Sequence, residues 1–165
     1  AFERTRAQLP ETFDYIKHSV DAMDVPENVR GFRTQFLSLH HFQPDNARAI
    51  LQNAVDRKQP IGIFEAQQRN IKSLIPMLLS PLNVLLVTPF IRPFKIDRLI
   101  FTYLIPVLPL FIMWDGIISV LRTYTQEELN NMIQQVQNSD TFHWEVGSAK
   151  GKPDILYLLG TPKKY

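Results

Sequence analysis

The chain contains no cysteine, which excludes a disulfide framework, a thiolate metal site and a cysteine nucleophile. Nothing therefore points to an oxidising compartment, and the cytoplasm is the expected setting. Glycine is scarce: Gly31, Gly62, Gly116, Gly147, Gly151 and Gly160 are all there are, and no two form a G-x-G. A glycine-rich turn, which lets the backbone approach a bound nucleotide closely, is thus missing. Charge is sparse and nearly balanced, a formal +2 with 21% charged residues. The basic residues are scattered except for Arg92, Lys95 and Arg98 and for Lys163 and Lys164. No basic stripe exists, so a nucleic-acid partner is not expected. The opening "AFERTRAQLP" has no apolar core, which excludes a secretory signal there. It reads as mid-helix, as expected of a fragment or a processed chain.

What is present fits one α/β domain of 165 residues, long enough to bury a sizeable core. Phe2 to Leu9 reads as a helix stopped by Pro10. Phe13 to Val20 carries aromatic and branched residues in partial alternation and is expected to be a strand. "DAMDVPENVRG" reads as a loop. Thr34 to Leu39 is apolar without clean alternation, the pattern of a parallel strand covered on both faces. A helix follows, with Asp45 as its expected N-cap and Ala47, Ile50, Leu51, Ala54 and Val55 at helical spacing. Pro60 to Ala66, "PIGIFEA", is a second buried strand, so strand, helix and strand form a right-handed crossover unit. Further on, Thr125 to Val136 is a helix opened by a capping box, with Thr125 at the N-cap and Glu128 three residues later. Phe142 to Gly147 and Ile155 to Gly160 are expected to pair as an antiparallel hairpin.

Between Ile71 and Trp114 the character changes, because this largely apolar stretch holds six of the twelve prolines. Leu74 to Ile91 is free of charge, at the lower length limit for a spanning helix, and Leu99 to Trp114 is a shorter second run. Pro76, Pro81, Pro89, Pro106 and Pro109 argue against spanning, since each removes a backbone donor and can kink a helix. The expectation is an inserted apolar helical segment, residues 71–115, between core segments 1–70 and 116–165. It would leave and return on one side as a lid, a membrane-surface contact or a subunit interface.

Three pieces carry a resemblance to a known family: "FLSLHHFQPDNARAIL" followed by "PIGIFEA", then "WDGIISVLRTYTQEELNNMI", then "FHWEVGSAKGKPDILYLLGTP". In that order they resemble the second half of a class I S-adenosylmethionine-dependent methyltransferase. The resemblance implies a partial Rossmann-like parallel sheet lacking its first two strands, with S-adenosylmethionine as cofactor of the intact protein. The missing glycine turn implies that this chain alone binds the donor weakly or not at all. Also implied are Asp21 and Ala22 in the loop that meets the adenine, and Leu37 and Ser38 beside the donor. His40 and His41 would line the donor and acceptor cleft as proton-transfer candidates, and Glu65, Trp114 and Asp115 would lie on the acceptor side. The acceptor would be a small or lipid-like molecule.

The residues themselves leave alternatives open. Adjacent histidines at a strand end are expected to point in opposite directions, which disfavours a shared metal ion, and no H-e-x-x-H-like spacing exists. Proton transfer near neutrality, cleft lining, and a plain strand end with one ring packed and one solvated all remain. Asp21 suits a turn that bonds its own backbone. Glu65 suits a solvated strand end equally well, Asp115 before Gly116 suits a helix cap, and Trp114 suits packing. The competing class is a non-enzymatic module that oligomerises or sits on a membrane. A homo-oligomer is expected either way, because a cut sheet edge and an apolar segment both stay exposed.

Overall fold

The computed structural model describes residues 2–163; Ala1, and Lys164 of the C-terminal basic pair, lie outside it. The elements in chain order are α1 (Phe2–Gln8), β1 (Arg33–Phe36), α2 (Pro44–Asp56), β2 (Ile61–Glu65), α3 (Ile71–Val87), α4 (Ile96–Leu99), α5 (Val107–Arg122), α6 (Gln126–Gln134), β3 (Phe142–Ala149) and β4 (Ile155–Pro162). The protein is α/β, with one four-stranded mixed sheet in the order β1-β2-β4-β3. β1 and β2 run parallel, Arg33 opposite Ile61 and Phe36 opposite Phe64. β4 is antiparallel to both its neighbours, with Ile63 opposite Leu158 and Val146 opposite Leu158.

The sheet is covered on one face. Ile61, Ile63, Leu156 and Leu158 point to a core completed by Ala47, Ile50, Leu51, Ala54 and Val55 of α2 and by Leu129, Met132 and Ile133 of α6. Both helices earn this place by spacing, since their apolar residues recur at three and four along one stripe. The other face carries Phe36, Phe64, Tyr157 and Leu159, none of them buried. Phe36 stacks on Phe64 with ring centroids 5.1 Å apart yet is 65% exposed. This corrects the expectation of a first parallel strand buried on both sides: β1 is four residues long and forms one edge of the sheet.

Two further local expectations fail for identifiable reasons. Phe13 to Val20 forms no strand; strand propensity expresses fit to a neighbouring pleated surface, and these residues pair with none. Asp45 is not the cap of α2, because Gln43 takes that position and Pro44 the first helical turn, where its missing N–H costs nothing. The capping box of α6 is complete: the Thr125 hydroxyl accepts from the Glu128 N–H at 3.2 Å, and the Glu128 carboxylate accepts from the Thr125 N–H at 2.8 Å.

The apolar segment is helical. α3 and α5 pack against each other, joined by α4 and a π-helical turn, Ile100–Leu104. α5 runs unbroken through Trp114, Asp115 and Gly116, so residue 115 marks no boundary in the backbone. Asp115 lies in the helix interior and caps nothing, and Trp114 is 62% exposed instead of packed.

Candidate active site

Open parallel sheets bind ligands beyond the carboxyl ends of their strands, and here that rim is made by the residues following β1 and β2. After Phe36 the chain turns through Leu37 at φ 51° and Ser38 into a 3-10 turn, Leu39–His41. The left-handed step at Leu37 tips that turn back toward the end of β2, where Glu65 sits.

Glu65 is the centre of the arrangement. It is 4% exposed, and its side chain accepts from the backbone N–H of Leu39 at 2.9 Å and of His40 at 3.3 Å. Its second oxygen lies 2.9 Å from Nδ1 of His40, itself 5% exposed. A carboxylate can only accept, so with Glu65 as carboxylate this contact places a proton on Nδ1 of His40 and, in the singly protonated ring, leaves Nε2 as the acceptor nitrogen. Of the readings left open for Glu65, the solvated strand end is ruled out: the carboxylate is buried and bonded to the 3-10 turn. The expectation of diverging histidines is also corrected: a 3-10 turn replaces the strand end, and the two rings lie 4.2 Å apart at 39°. Among the described residues no cluster of three or more His, Cys, Asp or Glu could hold a metal ion.

His40 and His41 line a cavity of about 230 Å³ together with Arg69, Arg122, Tyr124 and Glu128. Tyr124 donates its hydroxyl to the Phe42 carbonyl at 2.7 Å; burial, followed by the charge of Glu128, raises its pKa. Arg69 clamps Glu128 through two contacts of 3.0 and 2.9 Å and donates Nε to the Thr123 carbonyl at 3.1 Å. Burial by itself pushes the Glu128 carboxyl up, but the Thr125 N–H and Arg69 outweigh it and hold the group below the usual carboxylate range. A depressed acid stabilises the fold above its unfolded-chain pKa, and that contribution is lost as pH falls through the lower folded value. Glu128→Gln should thus be less stable than the parent in urea at neutral pH, modestly because the pair is exposed. The gap should close in acid; one that persists there would show that charge is not its source.

A larger cleft, about 650 Å³, opens on the same rim beside Leu37, Ala66, Gln68, Met77 and Asp154. It lies between the end of β2, the first turns of α3 and the loop joining β3 to β4. Gln68, one of its lining residues, donates Nε2 to Ser148 Oγ at 2.7 Å.

Of the residues singled out from sequence, the structure thus brings together His40, His41 and Glu65, and sets Leu37 in the adjoining cleft. Ser38 begins the 3-10 turn, its carbonyl accepting from the His41 N–H at 3.1 Å. Asp21 and Ala22 do not join them: Asp21 is exposed and accepts from its own Met23 N–H at 2.9 Å, and Ala22 packs against the core. Trp114 and Asp115 belong to the helical pair. Arg69, Arg122, Tyr124 and Glu128 escaped sequence reasoning, although "RTYTQEEL" held three of them within seven positions. Compared with known proteins, the chain matches no family model, no curated protein and no solved structure.

Proposed function

We propose that the chain is the acceptor-side part of a class I S-adenosylmethionine-dependent methyltransferase acting on a lipophilic acceptor. One observation carries the reading: the buried Glu65–His40 pair stands at the carboxyl ends of two adjacent parallel strands, beside a cleft that meets the apolar helices. The order β1-β2-β4-β3, with the last strand inserted antiparallel, suits the second half of a Rossmann-like sheet closed by a hairpin.

The described residues do not by themselves fit the donor. No glycine turn exists, Asp21 is engaged with its own loop, and Ala22 is turned to the core. The donor would be held by strands that these residues do not supply. The role of this chain is to hold the acceptor and to take its proton. Glu65 fixes Nδ1–H of His40, so Nε2 can accept a proton from a hydroxyl in the cavity. Tyr124 and the Arg69–Glu128 clamp border that cavity and hold its wall.

The coding region before Ala1 offers the first check. A G-x-G turn about 40 to 60 residues upstream, the span of two strand-helix units, supports the reading, and its absence counts against it. In the longer product, His40→Gln is expected to keep donor binding by calorimetry while slowing methyl transfer about 10²- to 10⁴-fold. Transfer at the parental rate, or a longer product that binds no donor, overturns the proposal. One-site donor binding by the 165-residue chain would overturn the claim that its donor site is incomplete.

A further inference from the structure

The helical pair is built inside out for water. Three of its hydroxyl side chains are hidden: Thr88 and Thr102 are buried, and Ser80 Oγ is shielded. Thr88 Oγ1 donates to the Val84 carbonyl at 2.6 Å. Its apolar side chains are shown, since 21 of the 29 exposed large hydrophobic residues among those described lie between Ile71 and Leu121. The two helices meet through a small residue, for a Cβ at Gly116 would come within 2.6 Å of Met77 Sδ. Small residues inside and leucine, isoleucine and phenylalanine outside is the pattern of helices whose solvent is hydrocarbon.

Charge is sparse, and the exposed Asp115 is the one charged residue in the interior of either long helix. Lys72 and Arg92 bracket one uncharged run, Arg98 and Asp115 the other. The connecting turn carries Arg92, Lys95 and Arg98 against a single acid, Asp97, and Arg122 closes the last turn of α5. Ile71–Phe90, 20 residues, is long and apolar enough to cross a membrane, with a mean hydropathy of 1.7 over its 18-residue window. The return path is not one rod, because Ile96–Leu104 and Val107–Arg122 meet at 77°. A crossing would also carry three cations to the far side, against the tendency of such residues to stay on the cytoplasmic face. Stopping midway would bury them in hydrocarbon, where a charged side chain is strongly unfavourable.

We infer that the α3–α5 pair docks on the surface of an anionic lipid bilayer, lying in the interface from one side. Its outward leucine, isoleucine and phenylalanine residues enter the upper acyl region, and the cations of the turn meet the headgroups. A second copy of this chain would cover the apolar flank but would bring the same cations face to face. This inference does not depend on the methyltransferase reading.

The test uses vesicles of phosphatidylcholine alone or mixed with phosphatidylserine, and the absence of cysteine makes single-cysteine labelling free of background. The chain should float with the mixed vesicles, much less with the neutral ones, and high salt should release it. Replacing Arg92, Lys95 and Arg98 together by glutamine should weaken binding roughly a hundredfold, at about 1 kcal/mol per cation. A fluorophore on Leu82→Cys should become shielded from an aqueous quencher. Lys95→Cys on bound protein should stay open to an impermeant thiol reagent added outside. Protection of Lys95→Cys from that reagent would replace docking by a crossing. No flotation with either vesicle, with self-association in light scattering instead, would assign the surface to contact between copies and overturn the inference.

Discussion

Glu65→Ala is expected to cost the fold about 3 to 5 kcal/mol, read as a fall in the urea midpoint, because it removes the acceptor of several buried donors, each worth about 1 to 3 kcal/mol when left unmet. Three donors lose their acceptor at once: the N–H groups of Leu39 and His40, and Nδ1 of His40. All three stay buried, where an unmet polar group carries its full desolvation penalty. Glu65→Gln keeps the volume and one carbonyl acceptor but turns an amide donor toward Nδ1. It should cost less, about 1 to 3 kcal/mol, and should force the other tautomer of His40, visible in the nitrogen shifts of the ring. If Glu65→Ala left stability unchanged, the carboxylate would not be the anchor of the 3-10 turn. Stability and the proposed proton transfer can be told apart here, since His40→Gln leaves both backbone contacts in place.

Leu158→Ala is expected to destabilise by about 2 to 5 kcal/mol, the range for emptying a fully buried leucine site. Leu158 is 0% exposed at the middle of β4, flanked by Ile63 on one side and Val146 on the other. It faces the layer formed by α2 and α6, and neighbours held in a sheet collapse poorly into the space left behind. Leu159 is its control, next along the strand, pointing to the half-open face and not buried. Leu159→Ala should cost clearly less in the same titration. Equal costs would mean that both faces of the sheet are packed alike.

The difference between those two leucines shows where sequence reasoning reached and where it stopped. α2, β2, α6 with its capping box, and the two last strands were legible because each is coded within about a dozen residues, by periodicity, branching or a cap. The failures share a cause. Phe13 to Val20 has the composition of a strand but no neighbour to pair with. Thr34 to Leu39 reads as a doubly covered strand, yet it becomes a four-residue edge followed by a turn. Asp115 with Gly116 reads as a boundary, yet the glycine is there so that α5 can press against Met77.

Within the candidate site, His40 and His41 stood out as an adjacent pair, while their geometry did not. Glu65 is 25 positions from His40, and no local pattern announces that its carboxylate is buried or that it dictates a tautomer. Arg69 and Glu128 are 59 positions apart, and only packing makes them one wall of a cavity.

By itself, the sequence determined the α/β class, the strand–helix–strand unit between Thr34 and Ala66, and the helical character and greasiness of the segment after Ile71. These depend on residue order over short windows, which backbone geometry translates directly. Only the tertiary structure decided that β1 is an edge, that the histidine rings converge, that Glu65 anchors His40, and that the helical pair turns its leucines outward. Each of those depends on which distant segment lies alongside, and that is set by burial summed over the whole chain.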